Sequence, residues 1–590
     1  ANKVVLVSNT VISPSLSWAI GDLAESLGEP RYEATGMLSS NKFEHIQYDA
    51  VSYAGMRAAN KATFGLTERD GNGIIPSYDF TKAHTIVSVG ADFLGTWLLP
   101  TQFATDYTGR RDPDGEWMSK HFQFEALMSL TGSNADVRAM VKPSEYANVL
   151  AAIAKGVGAS VSGVSTKLDK KAQEAVNKAV KALKSSKKKS IVVCGSNNTA
   201  LQILTNKINA KLGAYNETIN VNETVNLFQS NDSKMEKFVS DTISGKGPDA
   251  VIFLGTNPVY THPKGEKLGK ALKNIKHKIS MASHADETAN LCDVIVPDHH
   301  ALESWMDFNP TKNHYAIAQP TIRPLGNTAS ALESVLVWAG KASRGGKDSK
   351  VGYDYIQALW EKWGYTMDPA VQAEFPTFEG FWNSVVHAST GTVEVEAPTA
   401  PAFNDGAMSK VSGKLPKGGG VEVVLYQKAG IGIGNQANTP GLQELPDPLT
   451  KITWDNYITM NPVEMDGYAT TFDQESGLTL AELTIGGTSV TLPVYPLPGQ
   501  APGTVGVALG YGRGANGEEI GTAAYQTKEY GGNVMTEEGL PKPIGANAFP
   551  FVKSENGTLS FDASGAKITN KNESYLVAGT QIHSTAMARH

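Results

Sequence analysis

Two stretches of the sequence end a β-branched run on the same kind of turn, and this duplication restricts the fold more than any other feature. One reads IVSVGADFLGTWLLP over 86–100, the other VIFLGTNPVYTHP over 251–263. Each sets a glycine, and two residues later an Asp or Asn, just past a strand's carboxyl end, the place where open α/β sheets bind ligands. Further β-branched runs lie at 4–7, 191–193 and 294–296, and most are followed by a Gly, Pro or Ser break and then a helical pattern. At 14–27, Ser13 is a capping residue, Pro14 suits the first helical position, Gly28 can end the helix, and Leu16, Ile20, Leu23 and Leu27 form one stripe. Leu168, Ala172, Val176, Ala179 and Leu183 repeat the stripe ahead of 191–193. The alternation predicts an α/β fold with doubly wound, mostly parallel sheets in two related lobes over 1–340.

Beyond 340 the character changes. Residues 341–420 combine an aromatic segment (Trp360, Trp363, Phe375, Phe378, Phe381, Trp382), read as core or subunit contact, with a linker rich in Thr, Ala, Pro and Gly. After Val421 the helical period nearly vanishes. Strand-like runs at 421–427, 480–487, 488–495 and 503–509, punctuated by Gly and Pro, predict a β-barrel-like domain over 421–590.

With 590 residues, 41% of them hydrophobic and 19% charged, the chain can bury a large core. A net charge of −7 argues against a nucleic-acid partner, and no apolar run approaches the ~20 residues of a membrane helix. Only Cys194 and Cys292 are present, too few for a four-thiolate iron–sulfur cluster or a thiolate zinc site on this stretch. The start at Ala1 and the polar run 581–590 read as processed or cut ends.

Several local patterns have two readings. Gly430, Gly432 and Gly434 form GxGxG after a strand but no clear helix follows, which favours a glycine turn over a dinucleotide site. Lys184, Lys187, Lys188 and Lys189 suit the solvated end of a helix, with an anionic partner as the alternative. The segment 284–308 gathers His284, His299, His300, Asp286, Asp298, Glu303 and Asp307. These types can bind a metal or move protons, as in a hydrolase built on His284, His299, His300 and Asp298. The alternative is a helix–strand–loop in which Asp286 and Glu287 cap a helix, 294–296 is buried and the histidines bond loop backbone.

The sequence resembles the molybdopterin oxidoreductase superfamily, and within it the large iron–sulfur subunit of bacterial alternative complex III. The resemblance rests on GTNPVYTHP (255–263), ADETANLCDVIVPDHHALESW (285–305), NTPGLQELPDPLTKITWDNYITMNP (438–462) and LPVYPLPGQAPGTVGVALGYGR (492–513). It implies α/β lobes followed by a cofactor-binding type of barrel. It also implies a quinol:electron-acceptor oxidoreductase at the periplasmic face of the bacterial inner membrane. The partners would be cytochrome c subunits, an integral quinol-oxidising subunit and a ferredoxin-like domain beyond His590 that carries iron–sulfur clusters.

Superfamily enzymes hold molybdenum or tungsten through paired pterin dithiolenes and a Cys, selenocysteine, Ser or Asp ligand. The corresponding region, 48–65, has no Cys and offers only Ser52 or Asp49. Gly90-Ala91-Asp92-Phe93 also departs from the GxNP pattern kept at Gly255–Pro258, and a carboxylate facing a pyrophosphate repels it unless paired. The resemblance therefore implies a scaffold with no cofactor or metal on this stretch, Gly255, Asn257, Ser52 and Asp49 being vestigial site residues. The alternative is an active oxidoreductase carrying molybdopterin guanine dinucleotide with Mo or W, liganded by Ser52 or Asp49, with Asn257 and the Gly255 backbone meeting a pterin nucleotide.

Overall fold

The computed structural model describes residues 3–29, 42–68, 71–392, 400–411, 413–473, 477–514 and 545–580. Strands β1 (Val4–Ser8) and β2 (Phe43–Gln47) are followed by β3 (Thr85–Val89), β4 (Lys120–Glu125), β5 (Val137–Met140) and β6 (Ser190–Cys194). Next come β7 (Ala250–Leu254), β8 (His277–Ser280) and β9 (Val294–Ile295). They form two all-parallel sheets, in the orders β9-β8-β7-β1-β2 and β5-β4-β3-β6. The second lobe is thus inserted between β2 and β7 of the first. β1, β3 and β6 are buried at every position, as parallel strands covered on both faces must be.

The helix Pro14–Ser26 starts as the sequence predicts, with the Ser13 side chain accepting from Leu16 N. The helix expected near 168–183 runs Lys170–Ser185, capped by Asp169. Lys184 lies in its last turn and Lys188 pairs with Glu217 on the surface. Part of the aromatic segment packs against the first lobe, where Ile356 and Trp382 are buried among residues of the helix Pro14–Ser26 and of the helix Ala331–Trp338; Phe381 is also buried, whereas Trp363 is exposed.

The last strands are β10 (Val421–Tyr426), β11 (Ile458–Met460), β12 (Gly477–Ile485), β13 (Thr488–Pro496), β14 (Thr504–Ala508) and β15 (Asp562–Tyr575). Their order β12-β13-β11-β14-β10-β15 closes through β15–β12 pairing into a six-stranded barrel. Its core is continuous with that of the first lobe: Val423, Ile458, Val494 and Val507 share one cluster with Val5, Phe253 and Tyr260. The expected burial of 294–296 is corrected, because β9 is the sheet edge and Val294 and Ile295 are exposed.

The helix Ala54–Phe64 packs on the second lobe through backbone, its Ala59 sharing a core cluster with Val87 and Val192. Gly55 N, in the helix Ala54–Phe64, donates to Asn197 Oδ1 at 2.7 Å, and a Cβ on Gly55 would stand 1.8 Å from Asn197 O. Neither backbone can yield without opening the seam, so Gly55→Ala is expected to cost about 3 kcal/mol or more in urea unfolding.

Candidate functional site

Strand order reverses between β1 and β7 in the first sheet and between β3 and β6 in the second, and the crevice outside such a switch point is where ligands bind. Both crevices are narrow at the neck. Gly255 (φ +61°) ends β7, and a Cβ there would meet Asn9 Oδ1 at 2.8 Å. Gly90 (φ +67°) ends β3, and a Cβ on Gly195, past β6, would lie 2.1 Å from Gly90 O.

Past these glycines the lobes carry the same latch. In the first, Asn257 Oδ1 accepts from Thr288 N (3.1 Å) and Thr288 Oγ1 (2.6 Å), while Val259 N donates to Thr288 Oγ1 (3.1 Å). In the second, Asp92 Oδ1 accepts from Thr131 N (3.0 Å) and Thr131 Oγ1 (2.7 Å), while Leu94 N donates to Thr131 Oγ1 (2.9 Å). Each threonine follows the neighbouring strand, β8 or β4. Asp92 and Asn257 are therefore equivalent positions in a pseudo-repeat, and the latch needs only an acceptor oxygen. Burial raises the Asp92 pKa, and the Thr131 bonds oppose the rise.

The amide retained in the first lobe has a further task. Asn257 Nδ2 donates to Glu287 Oε2 at 2.6 Å, and Glu287 takes the guanidinium fork of Arg513, at 2.8 Å from Nε and 2.7 Å from Nη2. Arg513, from the loop after β14, is 2% exposed, donates also to Gly434 O and lies 4.2 Å over the Tyr260 ring. Burial alone would push the Glu287 pKa up; the Arg513 contacts and the Asn257 bond outweigh it and hold the carboxyl below its usual range. Glu287 thus pairs rather than caps, whereas Asp286 caps the turn at Thr288 and Ala289. The GxGxG loop is a turn packed on the barrel: a Cβ on Gly434 would lie 2.5 Å from Gly510 O.

Ser52 and Asp49 lie after β2 and serve the protein's own backbone. Asp49 accepts from Thr10 N, Thr10 Oγ1 and Ser230 N, and burial pushes its pKa up to about 6. Ser52 Oγ accepts from Ala54 N and bonds Asp232, which also takes Leu559 N at 2.8 Å while Asn197 Nδ2 donates to Leu559 O at 2.8 Å. These clamps hold the hairpin of Lys553–Glu555 and Thr558–Ser560 between the lobes. At the N-terminus of the helix after β1, where a phosphate sits in dinucleotide folds, Asp307 accepts from Ser15 N and Ser15 Oγ and from Trp360 Nε1. Sequence reading placed Asp307 in the cluster and Glu287 at a helix cap but missed these partners, as well as Thr131 and Arg513.

The histidine cluster is not brought together. His300 is exposed and accepts from Leu302 N, His299 Nε2 is buried, and Asp298 accepts from Ala331 N. Among the described residues no group of three or more His, Cys, Asp or Glu can hold a metal ion.

Between the second switch point and the barrel lies a cavity of about 140 Å³, bordered by Asp92, Tyr146, Tyr426 and Lys428. Ligand sites usually measure about 300–1,000 Å³. Its single lysine is engaged: Lys428 Nζ donates to Asp455 O at 2.8 Å and stands 4.2 Å over the Tyr457 ring, and burial lowers its pKa to about 8. The described residues do not fit a metal held between two pterin dinucleotides, because the amide, guanidinium and N–H donors named at the strand ends already bond the protein's own carboxylate, amide and hydroxyl oxygens.

A second cavity, of about 260 Å³, follows the seam between barrel and second lobe and is bordered by Glu422, Glu555 and Asp562. Glu422 accepts from Ser144 N and Oγ, joining the barrel to the second lobe. Burial, then Glu422 and Glu555, raise the Asp562 pKa to about 7. The folded chain holds this proton where an unfolded aspartate, near 3.8, has lost it. The resulting stability is full below about pH 4 and is lost as pH rises through about 7. Asp562→Asn is expected to raise the melting temperature at pH 8 by about 2 °C or more, by less at pH 5, and to leave it unchanged below about pH 4. Truncating the buried pair with Arg513→Met is expected to cost about 3–5 kcal/mol, and adding Glu287→Leu should restore part of it; a double-mutant cycle in urea measures the coupling.

Residues 115–327 match the molybdopterin oxidoreductase family model. A curated relative, the menaquinone reductase, molybdopterin-binding-like subunit of Nitratidesulfovibrio vulgaris, is 31% identical over 100 residues, 16% of this chain and 14% of that one. The F420-dependent formate dehydrogenase subunit alpha of Methanocaldococcus jannaschii is 25% identical over 119 residues, 20% and 17% of the two chains. The matched segments thus span less than a fifth of either relative's length. The fold is similar to that of acetylene hydratase from Pelobacter acetylenicus, with a TM-score of 0.60 and 11% identity over 96% of this chain and 86% of that one. The family model thus matches one part of the chain, and the likeness to acetylene hydratase shows the fold alone.

Proposed function

We propose that this chain is a structural subunit of a respiratory quinol:electron-acceptor oxidoreductase of the alternative complex III type, built on a molybdopterin oxidoreductase fold whose cofactor groups now serve the fold itself. The observation that carries the reading is the Asn257–Glu287–Arg513 chain. It spends the amide of the GxNP turn and a buried cation on one carboxylate of the chain itself, Glu287. In this reading the chain holds electron-carrying partners in register and transfers no electrons on this stretch. The partners are cytochrome c subunits, an integral quinol-oxidising subunit and a ferredoxin-like domain with iron–sulfur clusters, at the periplasmic face of the inner membrane. Two curated relatives named as subunits, one of a menaquinone reductase, support it.

The family match over 115–327 favours a second reading, an active oxidoreductase holding Mo or W on molybdopterin guanine dinucleotide with Asp49 or Ser52 as protein ligand. That reading needs Asp49 to release Thr10 and Ser230, or Ser52 to release Ala54 and Asp232.

Elemental analysis and pterin fluorescence of the purified chain separate the two. The scaffold reading expects far less than one Mo or W and less than one pterin per chain. One metal and two pterins per chain would sink it.

A further inference from the structure

The described surface carries one place where large aliphatic side chains and basic groups are interleaved. The loop 321–327 hangs on Leu302, whose carbonyl accepts from Thr321 N (2.7 Å) and Ile322 N (3.1 Å), and on Glu303, whose Oε1 accepts from Leu325 N. This presents three aliphatic side chains to solvent: Leu302 (51% exposed), Ile322 (43%) and Leu325 (78%). Three cations meet the same loop. Lys347 Nζ donates to Leu325 O (3.3 Å), Arg344 Nη2 to Asn327 Oδ1 (3.0 Å), and Arg323 is itself a loop residue. The acids beside them are Glu303, whose two oxygens accept from Leu325 N and His300 N, the buried Glu333, which accepts from Gly345 N, and Asp348, 3.9 Å from Arg323 with both side chains largely exposed. The adjoining run 341–350 adds Lys341 and Lys350, and Asp348 is its one acid. On a chain of net charge −7 this is a locally cationic surface.

A protruding loop, rather than a groove, bears the apolar groups, and they are Leu and Ile with no aromatic ring among them. Protein hot spots favour Trp, Tyr and Arg and under-represent Leu, while Lys is depleted from interfaces. Aliphatic side chains inserted beside Lys and Arg are the pattern of contact with an anionic lipid surface. We propose that the loop 321–327 with Leu302 docks on an anionic phospholipid bilayer. Leu325 and Ile322 enter the headgroup–acyl boundary, and Arg323, Arg344 and Lys347 hold phosphate headgroups. The contact deepens the membrane-face placement proposed above, and its failure would leave the metal and pterin analysis of that reading untouched.

Sedimentation of the purified chain with vesicles tests it. With 3:1 phosphatidylcholine:phosphatidylglycerol at 50 mM salt the chain is expected to pellet, and with phosphatidylcholine alone it should stay in the supernatant. At about 1 kcal/mol per basic residue near such a surface, Arg323→Gln with Lys347→Gln should lower the partition coefficient about thirtyfold. Leu325→Ser should lower it about tenfold while leaving the melting temperature unchanged. A fluorophore on Leu325→Cys should shift to the blue only with the anionic vesicles. Absence of pelleting, or variants that pellet like the parent chain, would overturn the proposal. So would retention on immobilised polyglutamate without vesicle binding, which would assign the surface to an acidic polypeptide.

Discussion

Parallel sheets leave helix N-termini and turn N–H groups at one edge, and in this chain side-chain acceptors drawn from distant parts of the sequence satisfy that edge. Asp307 caps the helix after β1, Asp49 takes Thr10 and Ser230, Asp92 and Asn257 take threonine turns, and Asp232 takes Leu559. A helix N-terminus offers about half a positive charge, and an anion placed there is stabilised whether it belongs to a ligand or to the chain. Once the chain supplies the anion, the barrel can close down on the strand ends, and the arrangement of the three bodies follows.

The barrel is held by the same logic with the signs reversed. Arg513 brings a buried cation to the carboxyl edge of the first sheet, where Glu287 balances it and Asn257 orients Glu287. A buried ion pair contributes little to stability over an apolar substitute, but losing one partner is costly, so such pairs specify geometry more than they strengthen it. Here the specified geometry is the seating of the loop after β14 against the loop after β7. Glu422 performs the matching task on the second lobe through Ser144.

Much of the architecture was legible in the sequence. β-branched runs followed by Gly, Pro or Ser breaks, buried at every position in β1, β3 and β6 and at all but the first in β7, marked these strands, because a strand covered on both faces has no polar alternation to mask it. Other strands were hidden. β15 reads DASGAKITNKNESY and is exposed over much of its length, so it carries little hydrophobic signal, and its pairing with β12 is what closes the barrel. β9 was expected to be buried because Val294 and Ile295 are apolar, but an edge position leaves them in solvent. The drift from GxNP to Gly90-Ala91-Asp92-Phe93 suggested a carboxylate facing a ligand; in the fold Asp92 is the counterpart of Asn257 in a latch that asks only for an oxygen.

By itself the sequence determined the local periods, the two glycine-ended strands, the cysteine scarcity and the change to β structure after Val421. Each is written in neighbouring residues through burial, turn geometry or side-chain chemistry. Only the tertiary structure decided that Thr131 and Thr288 are equivalent, that Arg513 answers Glu287 across 226 positions, and that Leu559 is gripped between Asp232 and Asn197. Hydrogen bonds and ion pairs act over about 3 Å of space and carry no trace of chain separation. Which polar group meets which is settled when the chain folds.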